Sequence, residues 1–142
     1  MYMRPTLSAE EARVAMNAMA DMARRIAKRP VAIAITDHRG ELIHFLRQDE
    51  ALAFCGEVST RKAYTAAVAK ESSASFSAKY KGVGRTLEEA IGPRASSGQG
   101  GVPILTKDGV CLGGIGVSGD SNEGDIAIGR AGVEAMGYNW EA

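Results

Sequence analysis

Aromatic residues are scarce in this sequence, 6% of 142 positions with a single tryptophan. The core must therefore be filled by aliphatic and small side chains. A domain of this length buries roughly two thirds of its unfolded surface, so one core suffices without covalent staples. Cysteine is rarer still: only Cys55 and Cys111 occur, far apart and in no CxxC or Cys/His cluster. That excludes a zinc-type metal centre. No apolar leader opens the chain and no hydrophobic run is long enough to span a bilayer, so we expect a cytoplasmic protein with reduced thiols. Nor does charge of one sign prevail. The 17 Lys and Arg balance 17 Asp and Glu, which argues against a nucleic-acid or membrane-surface partner.

What is present reads as alternating helices and hairpins. Residues 6–29 predict a helix, because Ala12, Met16, Met19, Ala23 and Ile26 recur at three- and four-residue steps. Ser8 and Glu11 have capping-box spacing, and Pro30 stops the helix. Residues 31–36 and 41–47 are β-rich and flank Asp37-His38-Arg39-Gly40, a turn. On the second strand, alternation predicts that Leu42, His44 and Leu46 share a face. Residues 57–71 predict an Ala-rich helix, and the Ser- and Lys-rich stretch 72–85 reads as a surface loop or lid. Thr86 and Glu89 repeat the capping-box spacing before a short helix ended by Gly92-Pro93. A second hairpin follows, 102–106 and 110–117 around Asp108-Gly109, then a final helix reaching Ala135. Adjacent hairpins with helices beside them define a single α+β domain over residues 1–142.

Several motifs bear on chemistry. Gly114-Ile115-Gly116-Val117-Ser118-Gly119 matches G-x-G-x-x-G literally, yet no later strand completes the βαβ unit a dinucleotide site requires. The glycines instead predict close approach of a ligand or neighbouring subunit to the backbone, or tight packing alone. On the Ala-rich helix, Arg61, Lys62 and Thr65 are polar groups that can be aimed at a pocket. Lys62 is expected to meet an anionic ligand group, so that Lys62→Met folds but binds less well. Backbone N–H groups around Gly100, Gly101, Ser118 and Gly119 can hold a carboxylate. His44 is the first candidate to ligate iron and His38 the second, since a strand orients an imidazole better than a turn does. With only two histidines and few aromatics, haem binding is expected to be weak and reversible. Cys55, between Phe54 and Gly56, is expected to be a buried thiol.

The order of motifs resembles the GlcG/HbpS-like proteins, the haem-degrading domain family. Val31 to Gly40 match its first hairpin, Leu42 to Asp49 its "L-x-x-F-x-R-x-D" run, and Lys62-Ala63-Tyr64-Thr65-Ala66 its helical core. Gly100-Gly101-Val102-Pro103-Ile104, Asp108-Gly109, Gly113 to Gly119 and Asp125 match its closing signature. The resemblance implies a profilin-like antiparallel sheet flanked by helices. It also implies homo-oligomers, from dimers to octameric rings. Some members of that family bind haem, some are fused to corrinoid adenosyltransferases, and others sit in catabolic operons. It therefore implies a small-molecule-binding protein with haem or a related tetrapyrrole as a candidate ligand. The alternative is a cytoplasmic enzyme acting on a small organic acid in a catabolic pathway, with Lys62 or Cys55 as its reactive group.

Overall fold

The computed structural model describes residues 1–142. Five helices surround one four-stranded antiparallel sheet: α1 (Ala9–Ile26), β1 (Ala32–Asp37), β2 (Leu42–Arg47), α2 (Ala53–Ala69), α3 (Ser73–Gly82), α4 (Leu87–Ile91), β3 (Gly101–Leu105), β4 (Cys111–Ser118) and α5 (Asn122–Ala135). The strand order is β2-β1-β4-β3. This is the expected α+β class. The stretch after α2 departs from expectation: residues 73–82 are helical, capped by the Ser72 hydroxyl on the Ser75 N–H. Its serines read as loop-formers in isolation, but one of them starts a helix.

The two sheet faces are built from different residue sizes. Ile33, Ile35, Val102, Ile104, Ile115 and Val117 point to one side and pack with Met16, Met19, Ile128 and Val133 from α1 and α5. The predicted α1 stripe is buried through Ala12, Met16, Met19 and Ala23, while Ile26, in its last turn, stays exposed. On the opposite face Gly114 and Gly116 alternate with those aliphatics, and α2 lies directly on them. A Cβ on Gly114 would sit 2.2 Å from the Ala63 carbonyl, and one on Gly116 would sit 1.9 Å from the Ser59 carbonyl. The glycine motif is therefore a slot for a helix of the same chain. The Gly strand, expected to admit a ligand or a neighbouring subunit, is consumed inside the protomer.

Strand β2 carries a bulge, so its faces do not alternate throughout. Ile35 opposes His44, but the next β1 residue, Thr36, opposes Leu42. The extra residue, Ile43, packs toward the core with Leu46. Leu42 is thereby turned to the α2 side, away from His44 and Leu46. At the other sheet edge the C-terminal tail covers β3, with Asn139 and Leu105 exchanging two backbone hydrogen bonds of 2.8 and 2.9 Å. Strand β2 has no such cover.

Both predicted capping boxes form, Ser8 with Glu11 and Thr86 with Glu89. Glu11 also accepts from the Tyr138 hydroxyl, which ties the chain end to the start of α1. That hydroxyl is the main cause holding the Glu11 carboxyl below its ordinary 4.5. A depressed carboxyl contributes stability above the unfolded value and loses it as pH falls through the folded one. In Tyr138→Phe, the melting temperature should therefore drop at neutral pH. The gap to wild type should close as the pH is lowered past 4.5. An equal gap at every pH in thermal melts would show that Glu11 is not the linked group.

Candidate functional site

Helix α2 divides the expected site residues between its two flanks. Neighbouring helical positions lie about 100° apart, so Arg61 and Lys62 cannot face one pocket. Lys62 is buried toward β4 and α5, whereas Arg61 is exposed on the side facing β2. The Lys62 amine donates to the Val117 carbonyl at 2.8 Å and pairs with Asp125 Oδ2 at 3.5 Å. The other Asp125 oxygen accepts the Asp120 N–H at 3.0 Å. Burial pulls the Lys62 amine below its ordinary value and pushes the Asp125 carboxyl above its own, each partly offset by the other's charge.

Glycines make the space for this pair. Gly100 has φ +118, and a Cβ there would lie 2.5 Å from the Val117 carbonyl and 3.1 Å from the Lys62 amine. A Cβ on Gly101 would lie 2.5 Å from the Lys62 carbonyl, while its N–H donates to the Ser73 hydroxyl at 3.0 Å. Thr65, fully buried, donates to the Arg61 carbonyl and accepts the Ser96 N–H, both at 2.9 Å. It thus pins the loop that wraps the lysine. Thr65, Gly100 and Gly101 line neither of the clefts that flank α2.

Lys62, Ser118 and Gly119 do reach a cleft of about 250 Å³ between the start of α2 and the start of α5. Leu52 and Phe54, 61% and 62% exposed, form its apolar rim. Arg29 and Asp120 supply charge at its mouth, and Cys55 and Asp125 line it more deeply. Cys55 is 2% exposed and free, as is buried Cys111. Leu52 and Arg29 were not legible as site residues. Asp125 was marked only by its place in the closing signature, and its position in the first turn of a helix reads equally as a dipole-complementing acid rather than the counter-ion of a buried lysine.

The two histidines lie elsewhere. His38 sits in the β1–β2 turn and His44 on the sheet face opposite α2, and both are half-buried. Each has a buried Nδ1 without a hydrogen-bond partner. No group of three or more His, Cys, Asp or Glu side chains could hold a metal ion, and no helix is long and apolar enough to cross a membrane.

A tightly packed α+β domain whose clefts join apolar rims to charged groups is the frame of a small-molecule-binding protein. The chain belongs to the HbpS-like family of haem-degrading proteins, whose model matches residues 7–134. Among solved structures it is similar to a PduOC–haem complex, with 26% identity over 97% of this chain and 100% of that one and a TM-score of 0.84. It is also similar to a double mutant of HbpS from Streptomyces reticuli, at 28% identity over 94% and 89% of the two chains with a TM-score of 0.84. The Klebsiella pneumoniae protein ORFY shares the fold, at 21% identity over 96% and 94% with a TM-score of 0.86. No curated protein gives a significant match.

Proposed function

We propose that this protein binds haem reversibly, as a cytoplasmic homo-oligomer. The observation that carries the reading is the full-length match to the PduOC–haem complex. The two clefts that flank α2 are smaller than an enclosing site. They measure about 250 and 230 Å³, below the roughly 300–1,000 Å³ of sites that enclose a drug-sized ligand. Leu52 and Phe54 at the rim of one of them give exposed apolar surface for a second copy. A dimer is the smallest assembly that would use it, and an octamer is within the family's range. Two free thiols suit a reducing compartment.

The unpartnered histidines fit an iron ligand of modest strength. Because Nδ1 is buried in both, Nε2 is the atom that can reach an iron. Ligating imidazoles in strong sites usually anchor the other nitrogen to a carbonyl or carboxylate, an anchor that both of these lack. His44 remains the first choice and His38 the second. Haem would supply a redox-active iron, and the chain would offer an imidazole nitrogen from His44 or His38 to hold it. Lys62, Ser118 and Gly119, which reach one cleft, are positions that can meet a propionate. Thr65, Gly100 and Gly101 act by holding the loop around Lys62.

Haemin titrated into wild type, His44→Ala and His38→Ala, each checked for folding, tests this. We expect a saturable Soret shift in wild type, reversed by a competing haem acceptor and lost or weakened at least tenfold in His44→Ala. Unchanged spectra in both variants would remove histidine ligation, and a wild type without saturation would remove the function.

A further inference from the structure

The second flank of α2 is a groove that the haem reading does not use. Two contacts fix its ends. At one, the β1–β2 turn meets α2: Gly40, at φ +83, leaves room for the Tyr64 ring, whose Cδ2 lies 2.3 Å from where a Cβ would be. At the other, the Phe45 ring lies 3.1 Å from the position of a Cβ on Gly56. Between Gly56 and Tyr64 the helix advances eight residues, about 12 Å. Glu57, Thr60 and Arg61 lie along that stretch, and with Gly40, Tyr64 and Arg94 they line a cavity of about 230 Å³.

Apart from Gly40 and the Tyr64 ring the cavity wall is polar, and exposed apolar side chains lie on the neighbouring β2 strand. Arg94 stacks on the Tyr64 ring at 4.1 Å, and the Tyr64 hydroxyl is fixed by donating to the Ile91 carbonyl at 3.0 Å. Arg61 stands on the same wall. The ion-pair partners of both guanidiniums are surface acids: Glu57, 71% exposed, on Arg61, and Glu41 on Arg94 at 3.4 and 3.5 Å. Exposed pairs of this kind contribute little, so an incoming carboxylate can replace them with bidentate hydrogen bonds. Leu42 and Phe45, 52% and 40% exposed, lie on the α2 side of β2 by register. They leave an uncovered apolar strip beside the two cations.

We propose that this groove binds a free monocarboxylate with an apolar chain. The carboxylate is taken by Arg61 and Arg94, and the chain lies along Leu42 and Phe45. A chain of about eight carbons spans the groove. This site does not depend on haem binding, and its test uses no haem, so either can fail alone.

Isothermal titration calorimetry with octanoate and acetate is the test. Octanoate should saturate at one per protomer, and acetate should bind at least tenfold more weakly, for want of the apolar contact. Arg61→Gln and Arg94→Gln should each weaken octanoate about tenfold. Leu42→Asn should weaken octanoate and leave acetate unchanged. All three side chains are exposed, so the variants should melt as wild type does. Absence of saturation, equal affinity for the two acids, or wild-type affinity in both arginine variants would overturn the proposal.

Discussion

Lys62→Met should lower folding stability by about 3 kcal/mol, a fall of roughly 10 °C in melting temperature for a domain of this size. Lys62 and Asp125 are 5% and 3% exposed, and the lysine is the only salt-bridge partner of Asp125. Removing the amine strands a carboxylate in a site whose burial already disfavours its charge. It also leaves the Val117 carbonyl without the side-chain donor it now has. The sequence reading expected this substitution to spare the fold and weaken binding; burial reverses that emphasis. The paired change Lys62→Met with Asp125→Leu should recover most of the loss, because replacing both members of a buried pair with apolar groups is often neutral. Denaturant melts of the two single variants and the double variant decide the matter. A single variant as stable as wild type would mean that water reaches the pair freely.

Gly116→Ala should abolish soluble, folded protein, and Gly116→Val should do so without exception. The added Cβ would meet the Ser59 carbonyl at 1.9 Å and the Ala63 N–H nitrogen at 2.5 Å. Both obstacles are helix backbone, so relief requires lifting α2 off the sheet. Overpacking with side-chain adjustment alone typically costs about 1–3 kcal/mol, and here no side chain can yield. Gly82→Ala is the matched control, since nothing lies within 4 Å of its Cβ position and its backbone is helical. It should be neutral or gain up to about 1 kcal/mol of helix propensity. Expression, circular dichroism and melting of the two alanine variants test the contrast. A cooperative, wild-type melt for Gly116→Ala would show that the helix does not depend on the slot.

These two sites also show what the sequence could and could not disclose. The period-two pattern of Gly114, Ile115, Gly116 and Val117 already separates a small face from an aliphatic one, and the Ala-rich helix is the natural occupant of the small face. Capping boxes and hairpin turns were equally legible, because each is set by residues a few positions apart. The Lys62–Asp125 pair joins helices 63 positions apart, a separation that no local pattern encodes. The division of Arg61 from Lys62 was open to helical geometry, but which flank faced which cleft required the packing of α2. The bulge at Ile43 had no signal, since it depends on how β2 meets β1. The helix over 73–82 was hidden because its serines favour turns and caps alike.

The most direct test of haem binding by an assembly is native mass spectrometry of the purified protein incubated with haemin. The account predicts a multimer of the 14.9 kDa chain that carries haem and sheds it when a competing haem acceptor is added. A bare monomer that retains no haem at any ratio would contradict it.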